Sequence, residues 1–315
     1  MATQKKGRHR VRPLREKGCD IMRHTVYKLF LIVLIAFVLG VAHYPSQKAE
    51  GGAFDRIGIG ARPKGMGDAF TAISDDGNSV YWNPAGISWI EKSQLSVMHK
   101  DLFSLGLINY EFLGYVHPNM GNGSLGFSWV RLDTTSNVEF MDYTENTYII
   151  SYGMRIATPF SLGANIKYYS VDYKEGGSGL GADIGILYKT LAGHLNLGLL
   201  YQDFNRPKIR WDTQAEDQLP ANLRLGIGFK PNPFMNLALD LDKLLESYVE
   251  THMGIEWWLL KRGIGLRTGL INQDKGKWNF TMGGSLGYRF FRFDYAWERH
   301  YDLGGTHLFS MVITF

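Results

Sequence analysis

The sequence predicts an all-β protein: a transmembrane antiparallel β-barrel of about fourteen strands, with an N-terminal hatch segment in its lumen. Three observations lead there. From about Ser93 onward, side chains alternate between apolar and small or polar with a period of two. The connections between these segments are alternately short and long. The composition joins a mean hydropathy just below zero to 14% aromatic residues and 37 glycines among 315 residues. That balance is too polar for membrane helices, but it suits strands that show one face to lipid and the other to a wet lumen.

The alternation is clearest in Phe160 to Tyr169, where Leu162, Ala164, Ile166 and Tyr168 share one face and Ser161, Gly163, Asn165 and Lys167 the other. Leu180 to Tyr188 and Leu223 to Phe229 repeat the scheme. Successive strand side chains point to opposite faces, so this spacing is a strand signature. The first seven predicted strands are about 94–101, 107–117, 123–132, 145–156, 160–172, 178–189 and 194–204. The other seven are about 219–229, 235–242, 249–259, 262–272, 277–288, 290–297 and 306–315. They run about 8–13 residues, bracketing the roughly 9–11 that a tilted membrane strand needs.

Connection length is an independent test. Links after even-numbered strands are short, as at 117–122, 157–159, 190–193 and 230–234, with near-direct reversals at Leu260 and Arg289. Several links after odd-numbered strands are longer, notably 133–144, 205–218 and 298–305. An outer-membrane barrel with both termini in the periplasm has short turns on one rim and longer loops on the other. Aromatic residues recur near strand ends, among them Tyr168, Tyr169, Tyr188, Tyr201, Trp257, Trp258, Trp278, Phe291 and Trp297, as girdles at two interfaces would require.

The N-terminal region reads as a leader. Residues 1–28 hold nine Lys or Arg against Glu16 and Asp20. Removing these from the 34 bases and 30 acids of the chain leaves a net charge of −3, which removes the charge argument for nucleic-acid binding. Leu29 to Ala42 is an apolar run of fourteen residues, short for a spanning helix of about 20 but within the 7–15 of a signal-peptide core. Residues 1–49 are therefore expected to be a basic head and cleavable signal peptide, with Met22 as an alternative start and cleavage after Ala42 or Ala49. Cys19 is the only cysteine and precedes the apolar run, so the exported part has no disulfide or thiolate metal site.

Residues 50–92 do not alternate. Gly51 to Ile90 is rich in glycine and small residues, with turn signals at Asp75-Asp76-Gly77-Asn78 and Asn83-Pro84-Ala85-Gly86. Met66 to Ile73 could form a short helix. A closed sheet of about fourteen strands encloses more space than wall side chains fill, so a compact segment inside the lumen closes the bore. It also keeps irregular backbone away from lipid. Residues 93–315 make the barrel. The last segment, THLFSMVITF, places Phe309, Met311, Ile313 and the terminal Phe315 on one face. It resembles the final strand by which barrel-assembly machinery recognises outer-membrane proteins, with Phe309, Ile313 and Phe315 as the expected signal.

Gly60-Ala61-Arg62, Gly65-Met66-Gly67-Asp68-Ala69-Phe70, Asp75-Asp76 and Trp82-Asn83-Pro84-Ala85-Gly86 form an ordered set of some forty residues. That set resembles the N-terminal signature of the FadL-type outer-membrane transport family, nearest its PorV/PorQ-type branch. The resemblance implies a fourteen-stranded barrel plugged by an N-terminal hatch. Gly60, Arg62, Gly65, Gly67, Asp75 and Asp76 are the expected hatch residues, and Asn83, Pro84 and Ala85 match the hatch turn. FadL-type members move hydrophobic molecules such as long-chain fatty acids; PorV-type members act in type IX secretion, carrying or anchoring exported cargo. This chain is shorter than typical FadL-type transporters, and its outer loops lack an apolar hairpin for capturing substrate.

Arg155, Lys167, Asp183, Arg224, Asp240, Glu256, Arg267, Arg292, Asp294 and Glu298 fall on the faces opposite the apolar stripes and are expected to face the lumen. There they could pair with the hatch, line a solute path, or merely be tolerated by water. Chemistry finds little support. Gly58-Ile59-Gly60 lacks the third glycine of a dinucleotide loop, where Pro63 stands, and Asp75-Asp76-Gly77-Asn78 lacks the spacing of a calcium loop. The six histidines beyond the leader show no metal-ligand spacing. Asp294 and Glu298 lie about 13 Å apart along a strand, too far for a hydrolytic pair. No enzyme, cofactor or metal is expected. Passage of a small hydrophobic solute through the bacterial outer membrane is the first functional reading. Docking or export of protein cargo is the second, and an outer-membrane hydrolase a distant third.

Overall fold

In the computed structural model, the described residues are 53–134, 142–157, 159–190, 193–245, 249–260, 263–274, 277–300 and 304–315. The expected leader and cleavage sites, Gly51 and most of the 133–144 link lie outside them.

Alternation folds into strands that pair in sequence order. The first seven are β1 (Gln94–Asp101), β2 (Ile108–Met120), β3 (Gly123–Thr134), β4 (Thr144–Ala157), β5 (Phe160–Asp172), β6 (Gly177–Lys189) and β7 (Leu195–Gln202). After two short strands, β8 (Lys208–Trp211) and β9 (Glu216–Gln218), come β10 (Asn222–Asn232), β11 (Met235–Leu244) and β12 (Val249–Leu259). The last four are β13 (Ile264–Asp274), β14 (Lys277–Tyr288), β15 (Phe291–His300) and β16 (Gly304–Thr314). Each barrel strand pairs antiparallel with its neighbours; β7 passes directly to β10, and β1 pairs with β16. The result is a closed barrel of fourteen strands, β1–β7 and β10–β16. Closure removes the unpaired edge that an open sheet would expose.

Strand bounds shift by up to three residues, and the expected 298–305 link shortens to the positions between His300 and Gly304. Two further expectations change. The 205–218 link is not a plain loop: β8 and β9 pair as a hairpin, and β8 continues the sheet from the start of β6, Gly177 opposite Trp211. Met66 to Ile73 is not a helix. Gly67 and Asp68 both have φ of 63°, and two successive left-handed residues end helical geometry. The helices lie to either side, at α1 (Ala61–Gly65) and α2 (Ser79–Trp82), with a 3-10 stretch over Pro84–Trp89.

The barrel is apolar outside and packed inside. Ile166, Leu180 and Leu286 are more than 60% exposed, as are the outward aromatic Tyr288 and the terminal Phe315. Water would penalise such a band, and hydrocarbon satisfies it. The protein core is instead the barrel interior, where Ile59, Met66, Phe70, Ile73, Trp82 and Ile87 of the N-terminal segment pack against Phe112, Val130, Ile149 and Leu308 of the wall. The short-turn rim carries both ends of the barrel, since Gln94 pairs with Thr314 and the Phe315 amide donates to the Ser93 carbonyl.

Candidate functional site

The interior is built from the seam between residues 53–93 and the inward strand faces. Glycines of the wall admit the segment's backbone: a Cβ on Gly163 would lie 2.2 Å from the Ala85 nitrogen, and one on Gly269 2.1 Å from the Gly67 nitrogen. Gly153, Gly163 and Gly185 stand opposite one another on three adjacent strands, so the wall there is backbone-thin where the Pro84 turn sits. Asn83 clamps that turn. Its Nδ2 donates to the Thr71 and Ile186 carbonyls at 3.0 Å each, and its Oδ1 accepts from the Ala85 amide at 3.1 Å.

Side-chain charges anchor the rest. Arg62 of α1 donates through Nε and Nη2 to both oxygens of Glu256 (2.8 and 2.9 Å), and through Nη1 to Asp75 (2.5 Å) and Asp76 (2.9 Å). Arg267 joins Glu256 at 2.7 Å and Asp294 at 3.5 Å, while Arg292 links Asp294 (2.9 Å) to Asp76 (2.7 Å). Arg62 also lies over the Phe70 ring at 5.1 Å. Three arginines thus meet four carboxylates, and Lys230, 4.0 Å from Asp75, completes the balance. A buried ion is tolerated only when paired and hydrogen-bonded in this way. Burial pushes the carboxyls of Asp75 and Asp76 up, yet Arg62 for Asp75, and Arg292 with Arg62 for Asp76, hold both below the ordinary carboxylate range.

On the other side of α1, Lys64 pairs with Asp68 (2.5 Å) and Glu298 (3.3 Å), and Lys100 lies 3.8 Å from the same Glu298. Lys167 bridges Asp183 (2.8 Å) and Asp203 (2.7 Å), and Asn165 ties Asp183 to the Val80 carbonyl. Asp240 accepts from the Phe70 and Thr71 amides at 3.0 and 2.9 Å. Arg224 pairs closely with Asp242 and lies over the Trp82 ring at 4.7 Å. Arg155 stands apart: it points toward the short-turn mouth, exposed, with its guanidinium 5.2 Å from the Trp89 ring. Gly65 approaches Gly283 and Arg267, and Gly60 adopts φ of 82° against the Asn78 side chain. Phe309, Ile313 and Phe315 lie on the outer face, away from all of this.

Sequence reasoning missed Lys64, Asp68, Lys100 and Asp203. Lys64 and Asp68 carry a weak signal, a four-residue spacing inside the glycine-rich stretch. Asp203 carries none, because its role depends on a left-handed turn (φ 50°) that returns the chain over Asp183.

The packed segment divides the interior into two chambers. The chamber at the long-loop rim has a volume of about 670 Å³ and a floor that includes Lys64, Asp68, Tyr81 and Trp82. The chamber at the short-turn rim has about 550 Å³ and reaches Arg62, Asp75 and Asp76. A niche of about 50 Å³ adjoins the first chamber, lined on one side by Phe54, Tyr110, Val130, Leu132 and Ile149 and on the other by Lys167, Asp183 and Asp203.

No family model and no curated protein sequence matches this chain. Solved structures do. The CymD monoaromatic hydrocarbon channel superposes with a TM-score of 0.60 at 12% identity, over 84% of this chain and 99% of its own. The toluene transporter TodX of Pseudomonas putida gives 0.58 at 13% identity, over 84% and 99%. A FadL homologue of Pseudomonas aeruginosa gives 0.52 at 13% identity, over 80% and 97%. At such identities the likeness is one of fold: a FadL-type barrel.

Proposed function

We propose that this FadL-type barrel sits in a bacterial outer membrane and passes a small hydrophobic solute, with residues 53–93 as the hatch that closes the bore. The observation that carries the reading is the long-loop chamber together with the niche it opens into, since about 50 Å³ alone would not hold an aromatic ring and the chamber of about 670 Å³ supplies the rest. Binding sites for small apolar ligands combine hydrophobic walls with a few placed polar groups, and this niche has both. It shares Asp55, Arg56, Tyr81, Leu132 and Glu145 with the chamber, so a solute entering from that rim reaches it without crossing the hatch. The likeness to channels whose names refer to hydrocarbons supports the same reading.

The test is uptake into liposomes. Reconstituted protein should speed entry of a small aromatic hydrocarbon while remaining closed to sugars and ions. Leu132→Trp should fill the niche and slow uptake several-fold without altering assembly. Uptake equal to that of protein-free liposomes would end the proposal. One observation favours the alternative, a PorV-like role in cargo docking or export: the Arg62 network locks the segment between the chambers. In that case the hydrocarbon crosses no faster, and exported protein co-purifies with the barrel.

A further inference from the structure

The long-loop chamber contains a group of acceptors with too few donors. Asp242 near the end of β11 pairs across the sheet with Glu250 of β12, and Asp240 pairs with His252. Because i and i+2 share a strand face, Glu250 and His252 both point inward. One ligand atom from each of Asp242, Glu250 and His252 lies within 4.8 Å of the other two, and His252 Nε2 is 3.5 Å from Glu250 Oε2.

The hatch sets the histidine tautomer. His252 Nδ1 is 2.9 Å from the Gly67 carbonyl oxygen, which can only accept, so Nδ1 carries the proton. In the neutral form that a metal ion binds, the lone pair of Nε2 is directed at the two carboxylates. His252 is 2% exposed, and neither its Nε2 nor Asp242 Oδ1 has a hydrogen-bond partner. Arg224 engages the other oxygen of Asp242. Three carboxyl groups, Asp240, Asp242 and Glu250, thus surround the imidazole, two of them within reach of its Nε2.

We propose that Asp242, Glu250 and His252 bind one divalent transition-metal ion, zinc being the chemical type, at the seam between hatch and wall. One imidazole nitrogen with two carboxylate oxygens suits zinc-like ions; calcium and magnesium prefer all-oxygen shells. A ring whose second nitrogen donates to a backbone carbonyl is the usual arrangement around a metal-bound histidine. Bonds of about 2.1 Å would draw together three ligand atoms that now lie within 4.8 Å of one another, and Asp242, Glu250 and His252 all line the chamber, from which water could fill the remaining positions. The ion would tie His252, and through it Gly67, to the rim of the barrel.

The test uses tag-free protein in its processed form, purified from membranes in detergent, stripped with EDTA and titrated with Zn²⁺ by calorimetry. Co²⁺ absorption provides a second readout of the ligand shell. Wild type should bind one equivalent. His252→Ala should weaken binding by at least about 100-fold, the upper range for disturbing even an outer-sphere partner. Glu250→Gln, a half-buried rim position, should weaken it at least tenfold and serves as the decisive variant if His252→Ala fails to assemble. The outward-facing His307→Ala should change nothing. Absence of stoichiometric binding by wild type overturns the proposal, as does binding that survives Glu250→Gln or His252→Ala unchanged.

Discussion

Gly269→Ala isolates the contact between the N-terminal segment and the wall. The added Cβ would sit 2.1 Å from the Gly67 nitrogen and 2.4 Å from the Met66 carbonyl carbon. Both are backbone atoms, so no side-chain rotation relieves the clash. Ordinary contact begins at 3.4 Å, so the segment must retreat by 1.3 Å. A shift of that size would stretch the 2.9 Å contact between His252 and the Gly67 carbonyl beyond hydrogen-bond range. Overpacking costs about 1–3 kcal/mol and a lost hydrogen bond about 1 kcal/mol, so the segment should loosen by about 2–4 kcal/mol. The barrel ladder, whose backbone bonds are untouched, should persist. Gly284→Ala is the matched control, an outward position where the nearest atom is the Gly265 carbonyl oxygen at 3.6 Å. Hydrogen exchange across residues 53–93, with SDS-gel heat modifiability as the assembly check, reads the effect. Amides of the segment should lose at least about 30-fold in protection in Gly269→Ala, the equivalent of 2 kcal/mol. Equal protection in both variants would show that the wall glycines do not hold the segment.

Arg62→Gln should loosen the hatch by about 3–5 kcal/mol, the usual cost of removing one partner from a buried ion pair, and should raise single-channel conductance in planar bilayers. The pH dependence has a defined sign: because the Asp76 carboxyl is held below its unfolded value, its stabilisation is complete above the ordinary carboxylate range and is lost as pH falls through the depressed one. Wild type should therefore stay silent through mild acid, while Arg62→Gln, whose Asp76 titrates closer to the ordinary range, should leak at a higher pH; coincident profiles would refute this role for Arg62. Phe309→Arg puts a charge on an outward position that is 57% exposed, at a cost of about 2–4 kcal/mol if it lies near mid-bilayer, and should lower the yield of heat-modifiable barrel. Normal yield would place that strand face away from lipid.

Strand number, strand order and facing were legible because a period of two permits only two faces, and only one can meet hydrocarbon. Leu162, Ala164 and Ile166 identify the outer face of β5 without any knowledge of its neighbours, and Asn165 and Lys167 then have to point inward. Connection parity follows from the same logic, since an antiparallel strand must return to the rim it left. The ordered motif from Gly60 to Gly86 marked a non-alternating segment, but its partners were not readable. Arg62 meets Glu256, 194 positions away, because α1 lies against the far wall of a closed barrel. No local pattern encodes that distance. Likewise Met66 to Ile73 reads as a helix by composition, and the tertiary structure overrides it with left-handed turns at Gly67 and Asp68. Asp242, Glu250 and His252 come together only through the pairing of β11 with β12, and the Gly67 carbonyl that accepts from the histidine Nδ1 lies 185 positions away. Short-range alternation determined the barrel, while the charge network and chambers depended on which distant side chains closure brought face to face.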